Sequence, residues 1–230
     1  MVDIDALKQK LVTASHIMHK EGLVEGYGHI TIRIPGTDRF LAPPRMSPAL
    51  VQVEDVLTIN LAGEKVDGRR NPNSETWIHT CLYRARPDVN SVAHTHSKMV
   101  VALGIVGQVV RPTHNHGVLF SDGVTLFMRP GLINTEELGT ETAAAIGNRS
   151  ALMLRGHGAI VATPELERTT LATIYLEEAA MFQVLAQSIG KPMFYSDEEM
   201  ANNFPSNVNI SDDRRIAMTR GWDYYVSRVS

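Results

Sequence analysis

Apolar residues recur at three- and four-residue intervals through Ile4, Leu7, Leu11, Ala14 and Met18, which predicts an amphipathic helix capped by Asp3 and closed near Gly22. The period then falls to two. In HITIRI (29–34), Ile30, Ile32 and Ile34 share one face while His29, Thr31 and Arg33 share the other, and a PGTDR turn leads into a second short strand, RFLA. DVLTINLAGEKVDG reads as another hairpin, about Ala62 and Gly63. SETWIHTCLYRARP reads as a helix started by Ser74 and ended before Pro87. SVAHTHSKMVVALG (91–104) reads as a buried strand run interrupted by two histidines, and further strands are predicted in GVTLFMRP and on both sides of RGHG in ALMLRGHGAIVA. TEELGTETAAAIG and the long stretch from Thr163 to Gly190 read as helices, the second with Thr163 as cap and Pro164 at its first position. The tail from SDEEMANNF onward reads as helical in pieces. Hairpin-linked strands among helices predict an α/β fold with a mixed sheet rather than a purely parallel one.

With 230 residues and 43% hydrophobic content, the chain can bury one sizeable core, and no linker-like tract divides it. A net charge of -3 and a pI near 6.3, without a long basic run, argue against nucleic acid and anionic membrane as partners. The N-terminus lacks the apolar core of a signal peptide, and no stretch reaches the roughly 18 apolar residues of a membrane span, so a cytoplasmic protein is expected. The single cysteine, Cys81, excludes an intramolecular disulfide framework and a cysteine-rich zinc site. Any bound metal must be held by histidine and carboxylate.

His94 and His96 stand two apart in a strand pattern, so their side chains project from one face about 7 Å apart at the backbone. His157 lies between glycines in RGHG, where a tight turn and close backbone approach are allowed. Three neutral imidazoles with a further position open is the pattern of a catalytic metal site, while three hydrogen-bonded core histidines is the plainer alternative. Glu75 falls in the first turn of its predicted helix, where the dipole favours a carboxylate, and His79 shares its face and could hold it in place. HNHG (114–117) repeats the histidine spacing after Pro112. It could be a second metal site, a proton donor or two exposed loop histidines.

GYGHITIRI, NSE opening a helix, HTH at the end of a strand and RGHGAIV before a long helix resemble, in order and spacing, the class II aldolase and adducin family over roughly residues 5–190. The resemblance implies a three-layer α/β/α sandwich around a mixed, largely antiparallel sheet. It further implies a homotetramer with active sites between subunits and one divalent ion per subunit, zinc or manganese, with cobalt or iron(II) also compatible with the ligands. Carried over by position, His94, His96 and His157 are the implied metal ligands, and Glu75 is the implied catalytic acid or base. A single domain over 1–230 is expected, with the tail 196–230, including Trp222, Tyr224 and Tyr225, either covering an active site or packed on the core.

Sugar-phosphate aldolases of the family grip phosphate with Gly-Asn-x-Ser, Thr-Gly and Ser-Ser motifs, where this chain has GHIT (28–31), APPRMSP (42–48) and NSE (73–75). The departures resemble the decarboxylase branch. His29, Arg45 and Ser74 are then the expected substrate-binding residues, with Arg45 either gripping a carboxylate through its paired donors or serving as a surface charge. The implied activity is decarboxylation of a hydroxylated aromatic or pyridine dicarboxylate through a metal-stabilised enolate, with the proton coming from Glu75 or from His114 or His116. The latter pair sits where aldolases of the family present a tyrosine from the adjacent subunit. A sugar-phosphate aldolase is the second reading, and a non-catalytic adducin-like module the third.

Overall fold

The computed structural model describes residues 2–203 and 212–229. In chain order the elements are α1 (Ile4–Lys20), β1 (His29–Arg33), β2 (Arg39–Ala42), β3 (Leu57–Asn60), β4 (Lys65–Asp67), α2 (Thr76–Ala85), β5 (Ser91–Thr95), α3 (Lys98–Ile105), β6 (Val124–Phe127), α4 (Glu136–Ile146), β7 (Ala151–Leu154), β8 (Gly158–Thr163), α5 (Leu166–Ile189), α6 (Asp197–Asn203) and α7 (Asp212–Ser227). The strands form one sheet in the order β4-β3-β2-β1-β5-β8-β7-β6. Every pair is antiparallel except β6 with β7. The expected mixed, largely antiparallel sheet is present.

The helices cover both faces. Ile30, Ile32 and Ala93 pack under α1 and the start of α5, and Ala159 and Val161 pack with α3 and the middle of α5. On the opposite face Val92, Ile160 and Ala162 pack with Ile78, Cys81 and Leu82 of α2 and with Ala143 and Ile146 of α4. Burying the apolar residues on both faces supplies the main driving force for the three-layer arrangement. The first helix matches its sequence signals, since Asp3 accepts the Ala6 N–H at 3.0 Å and Gly22, at φ +73°, lets the Leu23 N–H close on the Met18 carbonyl.

Three local expectations are corrected. The run 91–104 is not one strand, because it leaves the sheet after Thr95 and becomes helix at Lys98. The His96 N–H bonds the Leu23 carbonyl, and the Glu177 carboxylate from α5 accepts the Met99 and Val100 N–H groups at 3.0–3.1 Å. An acid arriving from a distant helix thus caps α3, and no local pattern announces it. Ser74 does not cap α2 either. The Asn73 side chain accepts the Glu75 N–H and the Asn73 carbonyl accepts the Thr76 hydroxyl, which puts Glu75 itself at the cap position. Thr163 ends β8 instead of capping α5, whose cap position is Glu165.

The C-terminal aromatic residues divide. Trp222 and Tyr225 pack with Val226 and Val229 on the α1 layer, and Arg228 pairs with Glu21 at 2.6 Å. Tyr224 is exposed. Within one chain the described part of α7 therefore lies along α1 and α5, while 204–211 fall outside the described residues. Among the described residues no helix is long and apolar enough to cross a membrane.

Candidate metal centre

The alternation of β5 turns His94 to the same face as Val92, under the beginning of α2. His94 is fully buried, and its Nδ1–H faces the Ala159 carbonyl at 3.0 Å, which leaves Nε2 with its lone pair free. His96, just past the strand end, brings its Nε2 to 3.1 Å from that atom. His157 is delivered by the turn between β7 and β8. Gly156 takes φ +67° there, and at Gly158 a Cβ would sit 1.9 Å from the Thr95 carbonyl oxygen, so only glycine lets β8 lie this close beside β5. Both ring nitrogens of His157 are buried and, apart from the Gly131 backbone beside the ring, have no hydrogen-bond partner among the described residues.

Glu75 points into the same space from the start of α2. Its Oε2 lies 3.5 Å from His94 Nε2 and 3.7 Å from His157 Nε2, and its Oε1 accepts the Ile133 N–H at 2.8 Å. Burial alone would push Glu75 upward, but His94, the Ile133 N–H and His157 outweigh it and hold the carboxyl at about 2. Burial, with His94 and His157 alongside, brings His96 down to about 4, and His157 is lowered for the same first reason. An ionised Glu75 carboxylate and His96 and His157 rings that burial disfavours as cations are in the protonation states in which such groups bind metal.

The ligand atoms of Glu75, His94, His96 and His157 all lie within 4.8 Å of one another. Tetrahedral bonds of about 2.0–2.1 Å place ligand atoms about 3.3 Å apart, so contacts of 3.1, 3.5 and 3.7 Å suit one divalent ion. The unsatisfied His157 nitrogens and the carbonyl bond that orients His94 fit such a group as well.

The polar face of β1 does not face solvent. It lies beneath α2 in a buried string: Tyr83 Oη to Thr31 Oγ1 at 2.8 Å, Thr31 Oγ1 to His79 Nδ1 at 2.8 Å, and His79 Nε2 to His29 Nδ1 at 2.6 Å. His79 therefore holds His29, not Glu75 as its spacing had suggested, while the Ile133 N–H holds Glu75. Burial, followed by its neighbours His79 and His94, keeps His29 well below the usual range. His29 Nε2 is buried without a partner, and its ring centroid lies 5.3 Å from that of His94. Arg45 and Ser74 are exposed, and neither side chain has a polar partner among the described residues. The Arg45 N–H bonds the Asn71 carbonyl at 3.0 Å, which sets the arginine segment beside the one carrying Ser74 and Glu75. His114 and His116 form a separate group with Glu178 of α5.

The string has a measurable consequence. Burial, then the nearby His94, lowers His79 to about 3, so between pH 6.5 and 3 the unfolded chain binds a proton that the folded one refuses. Stability should be fully present above pH 6.5 and fall below it by about 1.4 kcal/mol per pH unit from this group. In His79→Leu the slope of unfolding free energy against pH between 6.5 and 4.5 should be shallower by about one proton, whatever the variant's absolute stability. Equal slopes in denaturant titrations would refute this.

Helices on both faces of this sheet and a His/Glu cluster at the strand ends define an α/β/α sandwich whose residues could hold a metal ion. The chain belongs to the class II aldolase and adducin N-terminal domain family, whose model matches residues 9–184. It is similar to a 3,4-dihydroxyphthalate decarboxylase of Arthrobacter keyseri, 29% identical over 197 residues that cover 80% of this chain and 79% of the relative. It is also similar to a 5-deoxy-D-ribulose 1-phosphate aldolase of Bacillus thuringiensis serovar kurstaki, at 26% identity over 85% of this chain and 92% of the relative. An aldolase II superfamily protein from Pseudomonas syringae shares the fold at a TM-score of 0.85 and 22% identity, covering 98% of this chain and 92% of that one. Decarboxylases and aldolases thus both stand among its relatives.

Proposed function

We propose that the protein is a divalent-metal-dependent decarboxylase of a hydroxylated aromatic dicarboxylate, with His94, His96 and His157 as the metal ligands. The observation that carries this reading is the donor set on the segments beside them. Among the described residues, His29 offers a buried, unpartnered nitrogen next to His94, and Arg45 a guanidinium without a polar partner on the segment beside Glu75, where family aldolases carry a phosphate cradle. A guanidinium presents paired donors that match a planar carboxylate, and Ser74 adds a hydroxyl. The similarity to a 3,4-dihydroxyphthalate decarboxylase points the same way.

A bound divalent ion would supply Lewis-acid stabilisation of the charge that develops on substrate oxygen as carbon dioxide leaves. His29, Arg45 and Ser74 would hold the carboxylate that stays, and so orient the ring against Glu75. Glu75, ionised and restrained through the Ile133 N–H, would take a proton from the incoming hydroxyl and return one to the ring carbon. We assign this transfer to Glu75 over His114 and His116 because, among the described residues of one chain, it is the group that joins the three histidines in the ligand cluster. Active sites shared between the subunits of a tetramer, and a cytoplasmic setting, belong to the same reading.

The test is a screen of metal-loaded protein against dihydroxyphthalates, hydroxypyridine dicarboxylates and ketose 1-phosphates. Carbon dioxide release from an ortho-hydroxy dicarboxylate is expected, together with a dicarboxylate-dependent rise in melting temperature that inorganic phosphate does not reproduce. Cleavage of a sugar phosphate with no carbon dioxide from any acid would establish the aldolase alternative instead.

A further inference from the structure

A second set of metal-ligating side chains joins α5 to the 3-10 turn that begins after His114. His116 Nδ1 lies 2.7 Å and His114 Nε2 3.4 Å from the same Glu178 oxygen, and one ligand atom from each of the three residues falls within 4.8 Å of the others. Tyr175 stacks on His116 with ring centroids 4.1 Å apart, and Phe182 meets the His114 ring edge-on at 4.9 Å. Tyr175, Glu178 and Phe182 are spaced by three and four along α5, so one helix face supplies the carboxylate and both packing rings. The imidazoles are therefore oriented before anything binds, which lowers the ordering cost of binding.

We propose that His114, His116 and Glu178 form a second divalent-cation site, distinct from the cluster at the strand ends. Two imidazoles and one carboxylate favour zinc, cobalt, nickel or copper over magnesium or calcium, which prefer an all-oxygen shell. With bonds of about 2.0–2.1 Å, ligand atoms around a tetrahedral ion lie about 3.3 Å apart. The His114 contact already has that length, and the 2.7 Å His116 contact needs to open by about 0.6 Å. The carboxylate leaves the ion one net positive charge, and the three ligands leave it at least one position open. The site is half-exposed through His116, so it should bind more weakly and exchange faster than the buried cluster. An ion there would clip the 114–117 turn to α5.

The proposal does not depend on the substrate, so metal binding alone tests it. Chelator-stripped full-length protein is titrated with zinc by calorimetry and with cobalt by visible absorption. Two ions per chain in two affinity classes are expected. Glu178→Gln and His116→Ala should each weaken only the second class by at least about tenfold, and His94→Ala should remove only the first. His116 is half-exposed, so its alanine variant should fold even if Glu178→Gln does not. A single ion per wild-type chain, or two classes unchanged in His116→Ala, would overturn the proposal.

Discussion

His94→Ala is expected to leave the strand-end cluster unable to hold its ion and to lower kcat/KM by on the order of 10³-fold. Lewis-acid stabilisation supplies several kcal/mol to a developing negative charge, and each 1.4 kcal/mol is about a factor of ten in rate. Among the proposed ligands, His94 has the most neighbours. It is fully buried, its Nδ1–H is fixed by the Ala159 carbonyl, and its Nε2 lies 3.1 Å from His96 and 3.5 Å from Glu75. Its removal opens a cavity between β5 and α2 and leaves the buried Glu75 without the imidazole 3.5 Å away, so some loss of stability should accompany the loss of metal. Metal analysis of the purified variant, done beside a thermal melt, separates the two effects. A folded His94→Ala protein that retains its metal at this cluster would disprove the ligand assignment.

Glu75→Gln should give the cleaner chemical lesion. The amide keeps the size of the side chain, and its oxygen can still accept the Ile133 N–H, so the 131–133 segment and the start of α2 should stay in place. What disappears is the charge and the ability to move a proton. General acid–base catalysis contributes about 10²–10⁴-fold, and kcat should fall by that amount at saturating metal while the three histidines still bind the ion. Activity within a few-fold of wild type would remove Glu75 from the reaction. Loss of metal and activity together would make it a fourth ligand instead of the proton carrier.

Much of this architecture is legible residue by residue. The helix at Ile4–Lys20, the hairpins at the sheet edge, the strands on both sides of RGHG and the long α5 follow from apolar period, caps and turn glycines, all of which act over a few residues. The i, i+2 spacing of His94 and His96 and the glycines around His157 marked the same three histidines that the fold brings together. The errors have a common physical origin. At Met99–Leu103 an apolar run containing Val100 and Val101 reads as strand, but Glu177 supplies the helix cap from far along the chain. At α2 the local signal favoured Ser74, but Glu75 holds the cap position, because the Asn73 side chain accepts the Glu75 N–H and delays the start of the helix. Glu178 carried no signal, being one of two adjacent acids on a helix; only packing decides that it faces His114 and His116 while Glu177 faces α3.

His79 marks where local reading stops. Four residues after Glu75, it shares a helix face with it, and spacing alone made it that residue's support. In the folded protein the same face lies over the polar side of β1, where His29 and Thr31 compete for the ring and take both its nitrogens. The sequence by itself determined which residues are chemically able to bind metal, which alternate to one side of a strand and which elements can form, because those properties depend on side-chain type and local period. Only the tertiary structure decided which of these groups meet. Buried nitrogens and carboxylates must find partners in three dimensions, and the partner is set by how α2, β1, β5 and β8 pack, not by distance along the chain.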